Sequence, residues 1–129
     1  MPTRCRLSLL AVLCALLVPA TAPAAISKST RMKLHDKAVA AAKALKEPKP
    51  TSLRAVRTTY GKVKKAFATG PARPASTPVF VITMKGRFVD SRKRVYHRYN
   101  LVLSAKGLRG IVAYLGVPYP TQLGSTTPI

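Results

Sequence analysis

The fold of this chain is decided by residues 79–115, which read VFVITMKGRFVDSRKRVYHRYNLVLSAKGLRGIVAYL. Residues 79–89 carry large apolar side chains at the period of two that places them on one face of a β-strand: Phe80, Ile82, Met84 and Phe88. Gly86 interrupts this alternation and indicates a bulge. Residues 90–94 (DSRKR) are nearly all charged and predict a turn into a second strand.

The second strand is expected at residues 95–104, with one face made of Val95, His97, Tyr99, Leu101 and Leu103. A tight turn follows at residues 105–107, because Gly107 can adopt the positive φ that such a turn needs. Residues 108–115 form the third strand. Together the three strands predict an antiparallel meander.

A helix is predicted before the meander, at residues 31–46. Its apolar side chains recur at helical spacing, and Thr30 is the expected N-cap. Pro48 ends it. Residues 51–59 are rich in β-branched side chains and flanked by prolines, which favours a strand.

A second, shorter helix is predicted at residues 60–68, with Thr59 as its cap and Gly70 as its end. Residues 71–78 hold three prolines and predict a loop. Residues 116–129 are expected to form an extended tail, packed only near Tyr119 and Leu123.

These elements predict a single α+β domain over residues 25–115. In that domain one long and one short helix pack on an antiparallel sheet of about four strands.

The first 24 residues have the pattern of a cleaved secretory signal. Two arginines precede an apolar run of 12 residues at 7–18, which is too short for a permanent membrane span. Cleavage is expected after Ala24, with Ala25 as the alternative, and retention as a membrane anchor is the other interpretation. Cleavage would remove both cysteines, Cys5 and Cys14, and leave no disulfide or thiol ligand.

The charge of the chain is strongly positive. Its 129 residues include 23 Lys+Arg and 3 Asp+Glu, for a formal net charge of +20. Loss of Arg4 and Arg6 with the signal would reduce this to +18. Such an excess predicts affinity for polyanions and carries no information about the fold.

Two groups of basic residues are the candidate anion-binding sites. The group around the predicted hairpin contains Arg87, Arg92, Lys93, Arg94 and Arg98. The group on the second helix contains Lys62, Lys64 and Lys65. Arg54 and Arg57 lie on the strand before that helix, and Tyr96 and Tyr99 lie within the hairpin group, as phosphate contacts with base stacking would require. A diffusely basic, solvated surface is the alternative interpretation.

Catalytic and metal chemistry find little support in the sequence. After the signal there are two histidines, His35 and His97, and the acids are Asp36, Glu47 and Asp90. These types do not cluster as a metal site or a carboxylate pair requires. We therefore expect a non-catalytic protein without a cofactor or a metal.

The order of these motifs resembles small secreted actinobacterial proteins of unknown function. Residues 50–59 (PTSLRAVRTT) are similar to a P-x-x-V-x-A-V-x-T-T run in that group, and Gly86-Arg87-Phe88 to its glycine–phenylalanine strand. The helix-on-sheet order is also similar to PepSY-like and cystatin-like folds. Residues 104–107 (SAKG) depart from the D-x-x-T-G turn of such proteins, because the carboxylate is missing.

The expected partners follow from export and charge. For an exported basic protein they are wall polymers or anionic lipid head groups. No nucleic-acid-binding motif is present, so sequence-specific nucleic acid recognition is not expected. The alternative is a small interaction or inhibitor module that presents a sheet edge and the proline loop to a protein partner.

Overall fold

The computed structural model describes residues 25–129, and the predicted signal segment lies outside the described residues. The helices and strands, in chain order, are α1 (Lys28–Ala44), β1 (Thr51–Thr59), α2 (Tyr60–Phe67), β2 (Pro78–Val89), β3 (Val95–Ser104), β4 (Gly110–Leu115), a 3₁₀ turn (Thr121–Leu123) and β5 (Thr127–Pro128). The predicted α+β architecture with an antiparallel sheet is confirmed. The sheet has five strands, in the order β4-β3-β2-β1-β5, where about four were predicted.

The first face of the sheet packs against α1. Phe80, Ile82 and Met84 point to this side at the predicted period of two, and Tyr99, Leu101 and Leu103 join them from β3. The helix contributes Leu34, Ala38 and Ala42, all fully buried. Because two of these are alanines, α1 can lie close to the strands.

The opposite face of the sheet has a second core. Val79 and Val81 from β2 and Val102 from β3 lie under α2, which contributes Tyr60 and Val63. β2 and β3 are therefore apolar on both faces where β2 begins and β3 ends. The sheet forms the middle layer between α1 on one side and α2 with the 3₁₀ turn on the other.

The β2–β3 hairpin contains the predicted bulge. Met84 pairs with Tyr99 and Lys85 with Arg98, but beyond Gly86 the pairing shifts by one residue. The predicted turn at 90–94 closes the hairpin, where the Asp90 N–H donates to the Arg94 carbonyl.

The first helix begins and ends earlier than predicted. It spans 17 residues from Lys28, and its N-cap is Ser27, whose hydroxyl oxygen accepts from the Thr30 N–H at 3.3 Å. The prediction that Thr30 is the cap is wrong, because Ser27 already has the extended backbone of a cap and the chain is helical from the next residue. The C-cap is Leu45, and its carbonyl accepts from the Val89 N–H, which ties the end of α1 to the end of β2.

The second helix also ends differently. Thr59 occupies the N-cap position, but its side chain makes no capping bond. The left-handed residue after the helix is Ala68, at φ 60°, so Gly70 is not the cap. Gly70 serves close packing instead, since a Cβ there would lie 2.5 Å from the Tyr60 hydroxyl and 3.1 Å from that of Tyr114.

The segment after the meander is part of the fold. Tyr119 and Leu123 pack against the second core as predicted, but the segment also returns to the sheet and is not an extended tail. Its end, β5, pairs antiparallel with β1. Arg54 binds Thr126 at 2.7 Å (side-chain oxygen) and 2.9 Å (carbonyl), which helps to hold this segment on the sheet. Leu123 is buried, and Ile129 packs against the first core.

The last long strand begins at Gly110, two residues later than predicted. Gly107 has the expected positive φ, 79°, but Leu108 is also left-handed, at φ 49°, so the turn is longer than a three-residue one. No helix within residues 25–129 is long and apolar enough to cross a membrane.

Candidate anion-binding surface

Asp90 is used inside the hairpin turn. One carboxylate oxygen accepts from the backbone N–H groups of Arg92 and Arg94, both at 2.9 Å, and the other forms a 2.9 Å ion pair with the Arg94 side chain. Desolvation would raise the pKa of Asp90, but the hydrogen bonds from Arg94 and Arg92 outweigh it and lower this pKa below its usual value.

Glu47 is used in the same way at the bulge. Its carboxylate accepts from the Arg87 N–H at 2.7 Å and from the Lys49 N–H at 3.0 Å. The bond from Arg87 is the main reason that the pKa of Glu47 is lowered. Glu47 therefore satisfies a backbone donor that the bulge leaves without a strand partner.

The basic side chains consequently have little internal compensation. Within residues 25–129, the single ion pair is Arg94–Asp90. Asp36, the third acid, is exposed on α1 and forms no ion pair there. Most of the positive charge therefore meets only water and mobile ions.

The predicted hairpin group is exposed around the turn. Arg87, Arg92 and Lys93 are exposed, and Arg94 remains more than half exposed although it is paired. The Arg94 guanidinium also lies 6.0 Å from the Tyr96 ring centroid, within cation–π range. This end of the sheet is thus positively charged on several sides.

A cross-strand pair, Lys85 and Arg98, extends this surface along the sheet. The two residues are direct partners on β2 and β3, and both are exposed. Their neighbours Met84 and Tyr99 point to α1, so alternation places Lys85 and Arg98 together on the opposite face. Sequence reasoning found Arg98 but missed Lys85. The signal that could have identified Lys85 was the bulge at Gly86. Without a bulge, the register that starts at the hairpin turn would place Lys85 opposite Tyr99 and not opposite Arg98.

The predicted helix group lies elsewhere. Lys62, Lys64 and Lys65 are exposed on α2. The N–H of Tyr60, the first residue of α2, donates to the carbonyl of Thr77, which directly precedes β2. The start of α2 therefore lies at the start of β2. The hairpin turn follows the other end of this strand, which is 12 residues and therefore roughly 35 Å long. The structure does not bring the two predicted groups together.

The remaining candidates have internal roles. The Arg54 side chain binds Thr126, and the Arg57 guanidinium lies 6.0 Å from the centroid of the Phe80 ring. Tyr99 is only 6% exposed and tilts against Phe88 at 5.3 Å between ring centroids. Base stacking on Tyr99, one part of the sequence interpretation, is therefore excluded by its burial.

Acidic and histidine side chains do not converge in the described part of the chain. Over residues 25–129 there is no group of three or more His, Cys, Asp or Glu residues that could hold a metal ion. His97 is exposed on β3, with its Nδ1 3.3 Å from the Gly86 carbonyl oxygen. No protein-family description, curated protein or solved structure matches this chain.

Proposed function

We propose that this is an exported, non-catalytic protein that binds anionic polymers or anionic lipid head groups of the cell envelope through its lysines and arginines. One observation carries the proposal. Two of the three acids are bound to backbone N–H groups, which leaves the basic side chains of the hairpin and of α2 largely without acidic partners. Their counterions must then come from solution or from a ligand.

The physical basis is the release of mobile ions. A polyanion that contacts several lysines and arginines displaces condensed counterions, so its affinity falls steeply as salt rises. The sequence pattern of a signal peptide and the likeness to small secreted actinobacterial proteins support the envelope as the place of action. No feature supports sequence-specific nucleic acid as the partner.

The test is co-sedimentation of the purified protein with cell-wall fragments and with vesicles of phosphatidylglycerol, at low and at high salt. Phosphatidylcholine vesicles are the uncharged control. We expect binding to both anionic targets at low salt, its loss at high salt, and no binding to the control. Equal binding to anionic and neutral vesicles would refute the proposal.

The edge strand β4 supports a second candidate function, a protein-interaction or inhibitor module. This strand reads GIVAYL and has none of the charged or proline residues that protect sheet edges. The Gly116 N–H donates to the Arg98 carbonyl, so alternation turns the backbone groups of Ala113 and Leu115 away from β3. An extended peptide could add to this edge as a further strand.

A proline at Ala113 separates the two candidates. It removes an outward N–H without breaking the β3–β4 ladder, so the fold is expected to persist. If the edge recruits a peptide partner, Ala113→Pro abolishes capture of that partner and leaves vesicle binding unchanged. If the variant captures the same proteins as the native chain, the edge function is wrong.

A further inference from the structure

The Lys85–Arg98 pair is a place where the fold forces two positive charges together. Directly opposed residues on one sheet face have Cβ atoms about 5 Å apart, and like charges at such a position destabilise the sheet. Both side chains are exposed, and within residues 25–129 neither makes a side-chain hydrogen bond or an ion pair. The register is therefore maintained against this repulsion.

The register of the core sets the pair, and the bulge lies directly beside it. The pairing that starts at Val79–Ser104 continues unshifted to Lys85–Arg98, whereas the Phe88–Tyr96 register near the turn would place Gly86 opposite Arg98. Glu47 holds the bulge, because its carboxylate accepts from the Arg87 N–H. A Cβ on Gly86 would lie 2.9 Å from a Glu47 carboxylate oxygen, so the glycine leaves room for this contact. One acid of the chain thus stabilises the bulge that borders this pair of bases.

We propose that Lys85 and Arg98 form a specific site for a phosphate monoester group, within the broader anionic binding proposed above and resting on it. The two cations and the group match in charge, because a monoester carries about −1.5 to −2 near pH 7. A single carboxylate would neutralise only one of the two cations.

The oxygen count favours the same ligand. The Arg98 guanidinium presents a planar fork that takes two oxygens of an anion, and the Lys85 ammonium acts as a point charge that needs another. A phosphate monoester has three terminal oxygens, so it can serve both residues at once. A phosphodiester has two such oxygens and a single charge, and it is expected to bind this pair more weakly.

The experiment compares two double variants with the same change in charge. Lys85→Gln/Arg98→Gln removes the pair, and Lys62→Gln/Lys65→Gln removes two exposed lysines of α2. Each protein is titrated with vesicles containing phosphatidic acid, a monoester, or phosphatidylglycerol, a diester, at matched surface charge. Inorganic phosphate is added as a competitor to distinguish a free anion from a lipid-linked one.

We expect the native chain to prefer phosphatidic acid by about tenfold, as one additional charge-assisted hydrogen bond would give. The Lys85/Arg98 variant loses this preference, and the Lys62/Lys65 variant keeps it. Competition by inorganic phosphate would support a site for the free anion, and its absence a site for the lipid-linked group.

Equal loss in both variants, or no preference in the native chain, would overturn the specific site while leaving the general anionic binding intact. A native chain that binds neither lipid would overturn both proposals. Circular dichroism of each variant verifies that it is folded, and removal of the repulsion predicts that Lys85→Gln unfolds at the same or a higher urea concentration than the native chain.

Discussion

Leu123 provides the sharpest test of the way the C-terminal segment is attached. It is 6% exposed and packs into the second core from a single 3₁₀ turn. Leu123→Ala removes three carbons, each contributing about 0.8 kcal/mol when buried. A single turn near the surface can settle into the space, so the added cavity penalty is small. We expect a loss of about 2–3 kcal/mol in the free energy of unfolding.

The assay is urea unfolding followed by circular dichroism, with Gln122→Ala as the matched control. Gln122 is exposed in the same turn, so its replacement should change stability by less than about 0.5 kcal/mol. In a thermal melt, Leu123→Ala should lower the midpoint by about 10 °C. If the two variants unfold alike, Leu123 does not anchor the segment in the second core and this account of its attachment is wrong.

Three further predictions concern the bulge, the proline loop and acid stability. Gly86→Ala should lower the urea midpoint, because its methyl group would lie 2.9 Å from the Glu47 carboxylate and displace it; an unchanged midpoint would contradict this packing. Tyr60→Phe should cost about 1 kcal/mol in urea unfolding, because it deletes the 2.6 Å bond to the Pro71 carbonyl, and no change would mean that the loop is not anchored there. Because the folded-state pKa values of Glu47 and Asp90 are lowered, their stabilisation is full above the unfolded values, about pH 4, and is lost as the pH falls through the folded ones. The urea midpoint of the native chain should therefore decrease once the pH is lowered below about 4, and the decrease should be smaller in Asp90→Asn. Urea unfolding measured from about pH 6 to pH 2 checks this.

The first two strands of the meander could be predicted from sequence because their periodicity is strong, and the strand before the meander because its β-branched residues are flanked by prolines. β1 has the predicted bounds, Thr51–Thr59, and β3 has its predicted bounds, Val95–Ser104. Apolar side chains at every second position, bounded by prolines or by a charged turn, leave few alternatives. The bulge at Gly86 could also be predicted, since a glycine interrupts the alternation there.

The strand β5 could not be predicted because its two residues, Thr127 and Pro128, carry no periodic pattern. It forms only because the preceding segment returns across the sheet, where Arg54 binds Thr126. The cap at Ser27 was missed for a local reason, since Ser27 and Thr30 are both good caps and the first one with extended backbone starts the helix.

The candidate site likewise has one part that could be predicted from the sequence and one part that could not. Exposed cations around the turn could be predicted from the sequence alone. The partnership of Lys85 with Arg98 could not, because it depends on which residue Lys85 faces after the one-residue shift at the bulge. The internal use of Glu47 was equally hidden, because the contact joins residues 40 positions apart.

The most direct test of the central claim is the association constant of the native chain for anionic vesicles, measured at several salt concentrations. If uncompensated lysines and arginines carry the binding, the logarithm of this constant falls linearly and steeply with the logarithm of the salt concentration. A constant that is insensitive to salt would contradict the account, because binding would then depend on something other than the exposed charge.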